Sequence, residues 1–255
     1  MRRTLLALLG SIVIGQLPSA YAETDERTLE KIDSALSSPL RTDAERTRDP
    51  NRSPVAALSF MGLRDDMHVF EFGPGEGWYT KILAPVLKEK GQLSIGYPAD
   101  WLAELDEILA TEPMEKVRRV NLDMSWNDEL YAFDFDGVDF QTKNVDLFLA
   151  LREYHNLYGE ERAQFNAAVF KTLKPGGRYV VIDHTRRHME ADTPENLRRE
   201  DPVLVMGEIL AAGFEFEKFS PMFYRPDDTL QFEVGRKTVT GNTDRFFFVF
   251  KKPEN

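Results

Sequence analysis

The stretch Met67–Gly77, with the sequence MHVFEFGPGEG, decides the fold of this chain. Residues 67–72 are mostly apolar and predict a short β-strand, and glycines follow it at positions 73, 75 and 77. Apolar residues at helical spacing come next, between Tyr79 and Leu87. A strand, a glycine-rich turn and a helix in this order are typical of an open α/β sheet, in which ligands bind at the carboxyl ends of the strands.

The spacing of the glycines distinguishes between two classes of cofactor. Glycine permits positive φ angles and a close approach of the backbone to a ligand, and the N–H groups that start the following helix are hydrogen-bond donors. A dinucleotide-binding turn has the spacing G-x-G-x-x-G, whose third glycine is replaced here by Trp78. The spacing therefore disfavours a nicotinamide-dependent oxidoreductase. The alternative to a cofactor-binding turn is a plain glycine-rich connection between strand and helix that binds no ligand.

The alternation of strands and helices continues along the chain. Further apolar runs predict strands over 92–97, 117–122, 145–151, 178–183, 214–219 and 245–251. Helical patterns lie between them, over 101–109, 165–173 and 203–212. The last two strands can pair in antiparallel fashion, and Phe246–Phe248 are expected to be core residues. We therefore predict an α/β fold: a doubly wound, Rossmann-like, mostly parallel seven-stranded sheet with a C-terminal antiparallel hairpin.

A second motif, LKPGGRYV at Leu173–Val180, leads into the fifth strand, and its turn at Pro175–Gly177 is expected to end the preceding helix. The two motifs together resemble those of class I S-adenosylmethionine-dependent methyltransferases. The stretch Glu71–Gly77 resembles motif I, written E/D-x-G-x-G-x-G, and the second motif resembles the L-x-P-G-G turn of that superfamily. The resemblance implies S-adenosylmethionine as the cofactor and methyl transfer as the reaction.

A longer pattern covers residues 45–252 and resembles a group of exported bacterial proteins that are predicted to be methyltransferases. Its parts are RDP at 48–50, FMG at 60–62, WYT at 78–80, AP at 84–85, YH at 154–155 and TDRF at 243–246. This resemblance implies a small molecule as the methyl acceptor but does not identify it.

The resemblance also implies a set of cofactor-binding residues. Glu71 would hold the amino-acid end of the cofactor, and Gly73, Gly75 and Gly77 would let the chain wrap its ribose and methionine. Most class I enzymes end the second strand with an acidic residue that binds the ribose hydroxyls.

At that place this chain has Gly96-Tyr97-Pro98, and Tyr97 is predicted to stack on the adenine. Asp123 occupies the position that usually contacts the adenine amine. A helix N-cap or a loop aspartate is the alternative for Asp123.

The chemistry is expected at the ends of the fourth and fifth strands, where Tyr154, His155, Asp183 and His184 lie. Methyl transfer needs in-line positioning of the reactants and a base that takes the proton, and histidine suits that task near neutral pH. A loop histidine that bonds to the backbone is the alternative for His155. His184 and His188 lie four residues apart, but no H-E-x-x-H pattern or third ligand accompanies them, so we expect no metal site.

The composition limits the classes of partner. The chain has 255 residues, of which 42% are hydrophobic, so it can bury a sizeable core. It has no cysteine, which excludes a disulfide scaffold and a cysteine-ligated metal site. The formal net charge is −11, and no long basic run is present, so nucleic acid is not expected as a partner. We expect a small-molecule substrate, and the sequence carries no signal for an oligomeric state.

Residues 1–22 resemble a signal peptide. Met1–Arg3 is positively charged, Leu5–Ile14 is apolar, and Ser19–Ala22 has the small-x-small pattern of a cleavage site. The apolar run is shorter than the roughly 18–20 residues that span a bilayer, so no stable membrane insertion is expected after cleavage. We predict an exported protein, located in the periplasm if the source is a Gram-negative bacterium.

The rest of the chain is predicted to contain an extension over 23–60 and a class I methyltransferase-like domain over 61–255. The extension is expected to begin with an amphipathic helix and to form a loop over 46–54, because that segment contains two prolines. Export creates a difficulty, because S-adenosylmethionine is made in the cytoplasm. The alternative function is therefore a non-catalytic exported binding protein that retains the methyltransferase fold and pocket.

Overall fold

The computed structural model describes residues 24–254, and the predicted signal peptide, residues 1–22, lies outside the described residues. The strands are β1 (His68–Phe72), β2 (Gln92–Tyr97), β3 (Arg118–Asn121), β4 (Ser125–Asn127), β5 (Ala132–Asp134), β6 (Val145–Leu151), β7 (Leu173–His184), β8 (Glu215–Phe219) and β9 (Arg245–Lys251). The helices are α1 (Glu26–Leu36), α2 (Asp43–Thr47), α3 (Asp49–Arg52), α4 (Pro54–Met61), α5 (Thr80–Leu87), α6 (Ala99–Ala103), α7 (Asp106–Leu109), α8 (Gly159–Thr172) and α9 (Pro202–Ala211). No helix within residues 24–254 has both the length and the apolar character needed to cross a bilayer.

Seven of these strands form one sheet in the order β3-β2-β1-β6-β7-β9-β8. The first five are parallel, whereas β9 runs antiparallel to both β7 and β8. The prediction of a mostly parallel seven-stranded sheet that closes with antiparallel strands is confirmed. The strand order reverses between β1 and β6, and in open α/β sheets the ligand crevice lies at this point.

The predicted strands agree with the structure where an apolar run is buried on both faces. Strands β2, β6 and β9 have the predicted bounds, and Phe246, Phe247 and Phe248 are buried as expected. Strand β7 begins at Leu173 and not near Arg178, because residues 173–177 continue beside β6 with a shift of register between Val145 and Leu147. The preceding helix therefore ends at Thr172, before the Pro175–Gly177 turn.

Two helical predictions need correction. The helix predicted over 101–109 is divided into α6 and α7, because the backbone leaves helical geometry at Leu105. The side chain of Leu105 is buried against Gly77. The loop predicted over 46–54 instead forms α2 and α3. Its prolines do not prevent these helices, because each lies in the first turn of α3 or α4.

A small hairpin of β4 and β5 was not predicted. Trp126 and Phe133 face each other across it, and their ring centroids lie 5.4 Å apart. Trp101 packs against both rings, with centroid distances of 5.7 and 5.3 Å. The hairpin thus closes one side of the cleft at the carboxyl edge of the sheet.

Candidate functional site

The carboxyl ends of β1, β6 and β7 open onto a cleft that has three adjoining lobes. We call them the glycine lobe (about 190 Å³, lined by Glu71, Gly73 and Gly75), the histidine lobe (about 310 Å³, lined by Trp101, Trp126 and His155) and the arginine lobe (about 110 Å³, lined by Arg52 and Arg245). Arg152 lines all three lobes, so they form one continuous site.

The glycine-rich turn lies at the end of β1, as predicted. Gly73, Gly75 and Gly77 have φ angles of 65°, 53° and 79°, a region in which residues with a Cβ are strained. The amide of Gly73 donates a hydrogen bond to the carbonyl of Gly96 in β2 (3.0 Å). The alternate glycines therefore let the turn fold tightly over the edge of the sheet, and Gly73 and Gly75 line the glycine lobe.

Glu71 places a buried carboxyl group in the glycine lobe. The residue is 3% exposed, and its Oε2 accepts a hydrogen bond from the hydroxyl of Thr80 at 2.7 Å. The pKa of Glu71 is raised to about 7, mainly by burial, with a smaller upward effect of the Glu153 charge and opposing effects of Thr80 and Arg52. A cation that enters the lobe would be attracted by this carboxylate.

Glu153 provides a second carboxyl group that sequence reasoning missed. It follows β6 and lines both the glycine and the histidine lobes. Its Oε2 accepts hydrogen bonds from the hydroxyl of Tyr97 and from Nδ2 of Asn156, each at 2.9 Å. Burial raises the pKa of Glu153 to about 7. Through its hydrogen bond from Tyr97, Glu153 at the end of β6 thus places a carboxyl group close to the residue that ends β2.

Tyr97 and Asp123 do not line any of the three lobes. The ring of Tyr97 is 5% exposed and makes edge contacts with Trp101 and Phe133, at centroid distances of 4.8 and 5.5 Å. Its ring thus packs against protein side chains in this structure and is not presented for stacking on adenine. Asp123 is exposed on the link between β3 and β4, and no helix follows it directly.

His155 and Asp183 form a hydrogen-bonded pair at the ends of β6 and β7. His155 Nδ1 lies 2.8 Å from Oδ1 of Asp183, which is fully buried. The backbone amides of His155 and His184 also donate to this carboxylate, at 3.0 and 2.7 Å. Burial lowers the pKa of His155, but the charge and hydrogen bond of Asp183 outweigh it, and the net pKa is raised above 6.5. A carboxylate that orients a histidine in a cleft is the arrangement of a general base.

Asp183→Asn is expected to lower the pKa of His155, because burial then acts against the smaller compensating charges of Glu153 and Glu200 alone. A proton NMR titration of the histidine ring signals measures this change. His68, whose Nε2 lies 3.0 Å from the hydroxyl of Ser94 in the sheet, is the internal control and should titrate alike in both proteins. An unchanged titration of His155 would contradict the pairing.

His184 lies beside this pair and lines the histidine and arginine lobes. Its Nδ1 is 2.8 Å from the hydroxyl of Thr243. Burial holds the pKa of His184 well below its ordinary value, and the nearby cations His155 and Arg152 add to the effect, so this ring is neutral. His188 is directed elsewhere, with Nδ1 2.9 Å from Asp201.

Tyr154 was predicted as a catalytic residue, but the structure places it in the core behind the cleft. It is 0% exposed and lines none of the three lobes. Its hydroxyl donates to Glu208 Oε2 at 2.9 Å and accepts from Asn166 Nδ2 at 2.8 Å. A catalytic contact with a ligand in the cleft is therefore not available to Tyr154 in this structure.

Tyr154→Phe is expected to lower the free energy of unfolding by about 1–3 kcal/mol, because the buried Asn166 and the half-buried Glu208 each lose a hydrogen bond. Urea unfolding followed by circular dichroism measures this loss. Tyr158→Phe is the matched control, since Tyr158 is 49% exposed, and it should change the free energy of unfolding by less than about 0.5 kcal/mol. Equal effects of the two substitutions would contradict the structural role of Tyr154.

Comparison with protein-family models finds no match for this sequence, and a search of curated proteins finds none either. Solved structures do resemble it. A SAM-dependent methyltransferase from Aquifex aeolicus has a TM-score of 0.54 and 17% identity, over 88% of this chain and 97% of that one. Human N-acetylserotonin methyltransferase in complex with SAM has a TM-score of 0.52 and 13% identity, over 89% of this chain and 56% of that one.

The chain has the fold of S-adenosylmethionine-dependent methyltransferases. The same fold occurs in the [4+2]-cyclase SpnF, which has a TM-score of 0.55 and 14% identity, over 90% of this chain and 94% of that one. At these identities the likeness concerns the fold, and the function has to be argued from the residues of the cleft.

The charges of the glycine lobe fit the amino-acid end of S-adenosylmethionine, which carries an ammonium, a carboxylate and a neighbouring sulfonium. The carboxyl groups of Glu71 and Glu153 and the guanidinium groups of Arg48 and Arg52 all line this lobe. Each charge on that end of the cofactor thus has an opposite charge available in the lobe.

Proposed function

We propose that the protein is a methyltransferase that uses S-adenosylmethionine and acts on a small molecule in the cleft. The observation that supports this most is the glycine lobe. It lies at the point where the strand order reverses, beside the motif at Glu71–Gly77, and it contains two carboxyl groups with raised pKa values, of which Glu71 is buried and Glu153 half-buried.

Four residues would hold the cofactor, which supplies a methyl group on a positively charged sulfur. Glu71 binds the ammonium group, and Arg48 and Arg52 bind the carboxylate at the same end. Glu153 takes the place of the acidic residue that usually ends the second strand and binds the ribose hydroxyls. These assignments use residues that line the lobe, and they replace the predicted roles of Tyr97 and Asp123.

His155 would take the proton from the acceptor. Its Nδ1 is directed to Asp183, which leaves Nε2 for a group in the histidine lobe. Asp183 orients the ring and stabilises its protonated form. Trp101 and Trp126 line the same lobe and exclude water from it.

Calorimetric titration of the purified protein with S-adenosylmethionine and S-adenosylhomocysteine tests this function. We expect dissociation constants in the micromolar range for both. Glu71→Gln should weaken binding of both ligands by about tenfold or more, because the ammonium loses its counter-charge. Glu160→Gln, on the exposed face of α8, is the control and should leave the affinities unchanged. If neither ligand produces heat, the proposal fails, and the non-catalytic binding protein becomes the better account.

We also propose that the chain is exported and belongs with the signal-peptide-bearing methyltransferase-like proteins that its sequence resembles. The support is the pattern of residues 1–22. Cell fractionation followed by intact-mass measurement tests this proposal. We expect a periplasmic protein whose sequence begins at Glu23. A cytoplasmic protein that retains Met1–Ala22 would contradict it.

A further inference from the structure

The arginine lobe contains an unusual concentration of positive charge. Four arginines line it, and none of its other lining residues is an aspartate or a glutamate. These arginines are Arg48, Arg52, Arg152 and Arg245. The chain as a whole carries a formal net charge of −11, so the cluster does not follow from composition. Like charges held together without counter-ions are unfavourable, which points to an absent partner of opposite charge.

Two of these guanidinium groups are buried, and one of them has a buried donor without a partner among the described residues. Arg52 is 6% exposed as a residue, but none of its nitrogens is a buried donor without a partner. It lies over the ring of Trp78, 4.4 Å from the centroid. Arg245 is 9% exposed and donates to the carbonyl of Asn51 at 2.5 Å, but its Nε is buried and has no partner among the described residues. Buried donors without partners carry the full cost of desolvation.

The positive charges of the cluster lower one another's pKa values. Burial lowers the pKa of Arg52 to about 9 and that of Arg245 to about 10, and Arg152 contributes to both shifts. Asp244 opposes the shift of Arg245, Glu76 opposes that of Arg48, and Arg52 in turn lowers the pKa of Glu71. Three acids thus interact with four guanidinium groups, which leaves the cluster with a net positive charge.

Arg152 is also held in a strained backbone conformation. Its φ angle is 64°, in the left-handed region that non-glycine residues seldom adopt. It lies directly after β6 and lines all three lobes. Strain of this kind persists where the surrounding structure requires one orientation, and it is concentrated at ligand sites.

We propose that the arginine lobe binds an anionic group, a carboxylate or a phosphate, of the small-molecule substrate. Guanidinium groups bind both kinds of oxyanion through paired N–H donors. A volume of about 110 Å³ suits one such group. His184 lines both this lobe and the histidine lobe, so an anion bound here would leave the rest of the molecule beside His155. Only the statement that this molecule is the methyl acceptor rests on the proposed function.

This lobe differs from the place assigned to the carboxylate of the cofactor. Arg48 and Arg52 line both the glycine and the arginine lobes, whereas Arg245 lines the arginine lobe alone. One carboxylate on the cofactor would leave the positive charge of Arg152 and Arg245 only partly compensated, by Asp244. A second anion is therefore needed to complete the site.

Titration of the purified protein with inorganic phosphate and with succinate, at low salt and without S-adenosylmethionine, tests the inference. We expect at least one of them to bind, to raise the melting temperature, and to bind more weakly at high salt. Arg152→Gln and Arg245→Gln should each weaken that binding by about tenfold or more. Arg187→Gln is the control, because Arg187 is exposed and its side chain bonds, among residues 24–254, to the carbonyl of Thr229 alone.

The melting temperature of the unliganded variants separates an anion site from a merely structural role. Arg152→Gln should raise it, since the change removes a charge that repels Arg52 and Arg245. A lower melting temperature for unliganded Arg152→Gln, or no binding of either probe, would overturn the inference. Binding of phosphate alone identifies a phosphate group, and binding of succinate alone identifies a carboxylate.

The outcome of the titration with phosphate and succinate does not depend on whether S-adenosylmethionine binds. If the probes bind but S-adenosylmethionine does not, the anion site stands and its ligand is not a methyl acceptor. If S-adenosylmethionine binds but the probes do not, the proposed function stands and the anion site is refuted.

Discussion

Gly73→Ala is expected to weaken binding of S-adenosylmethionine by about a hundredfold or more and to destabilise the protein, whereas Gly75→Ala is expected to have a much smaller effect on both. The two glycines have similar φ angles of 65° and 53°, so alanine costs about 1–2 kcal/mol of backbone strain at each. Their surroundings differ. A Cβ at Gly73 would overlap with the side chain of Glu153, while a Cβ at Gly75 would have no atom within 4 Å.

The added methyl group at position 73 must displace Glu153. Glu153 then loses the hydrogen bonds from Tyr97 and Asn156, which lowers the free energy of unfolding by about a further 2–3 kcal/mol. The cofactor loses a carboxylate as well as its approach to the backbone, so its affinity should fall by about a hundredfold or more. Urea unfolding and calorimetry with S-adenosylhomocysteine measure the two effects. If Gly73→Ala and Gly75→Ala lowered the stability and the ligand affinity equally, displacement of Glu153 would not be the cause of these losses.

The contribution of Glu71 and Glu153 to the stability of the unliganded protein is expected to fall as the pH rises from about 4.5 to about 7. Folding raises the pKa of Glu71 and of Glu153 from 4.5 to about 7. The folded state therefore binds more protons than the unfolded state in this range, and deprotonation favours unfolding. Below pH 4.5 the stabilising effect of these protons is complete, and above about pH 7 it is lost. Each shift corresponds to roughly 3 kcal/mol.

Glu153→Gln isolates this contribution from the rest of the protein. Glutamine resembles the protonated carboxyl group, so the variant should match the wild type at pH 5 and be more stable at pH 8, by about 1–3 kcal/mol. Glu160→Gln, on the exposed face of α8, should show no such difference. Thermal unfolding at the two pH values measures both. A Glu153→Gln protein that is less stable than the wild type at pH 8 would contradict the burial of an ionisable carboxyl group at this site.

The elements that sequence reasoning predicted best are those with a strong local pattern. Strands β2, β6 and β9 are rich in apolar residues, as is typical of strands that are buried in a sheet. The hairpin of β4 and β5 has strands of three residues each, which are too short for a detectable period. Its conformation depends on the packing of Trp126 and Phe133, which only the folded chain brings together.

The candidate site likewise combines a part that a local motif predicts with a part that only the folded chain brings together. The glycine-rich turn and Glu71 form a single local motif, and the structure places them together at the end of β1. The arginine lobe combines α3, the end of β6 and the start of β9, so no sequence spacing indicates it. The pair Arg48 and Arg52, four residues apart, was the available signal.

Orientation is the other property that sequence reasoning could not supply. Tyr154 and His155 are adjacent in one helical turn, yet Tyr154 bonds to Glu208 in the core and His155 lines the histidine lobe. Tyr97 likewise ends a strand at the edge of the cleft, but its hydroxyl is bonded to Glu153. The side on which each residue lies is determined by tertiary packing, which the residue type does not reveal.

A crystal structure of the protein with S-adenosylhomocysteine tests the central claim most directly. We predict that the amino-acid end of the ligand lies in the glycine lobe, with its ammonium at Glu71 and its carboxylate at Arg48 or Arg52. Crystals grown at saturating ligand in which the glycine lobe holds only protein side chains, or in which the nucleoside binds at another face of the sheet, would contradict the claim.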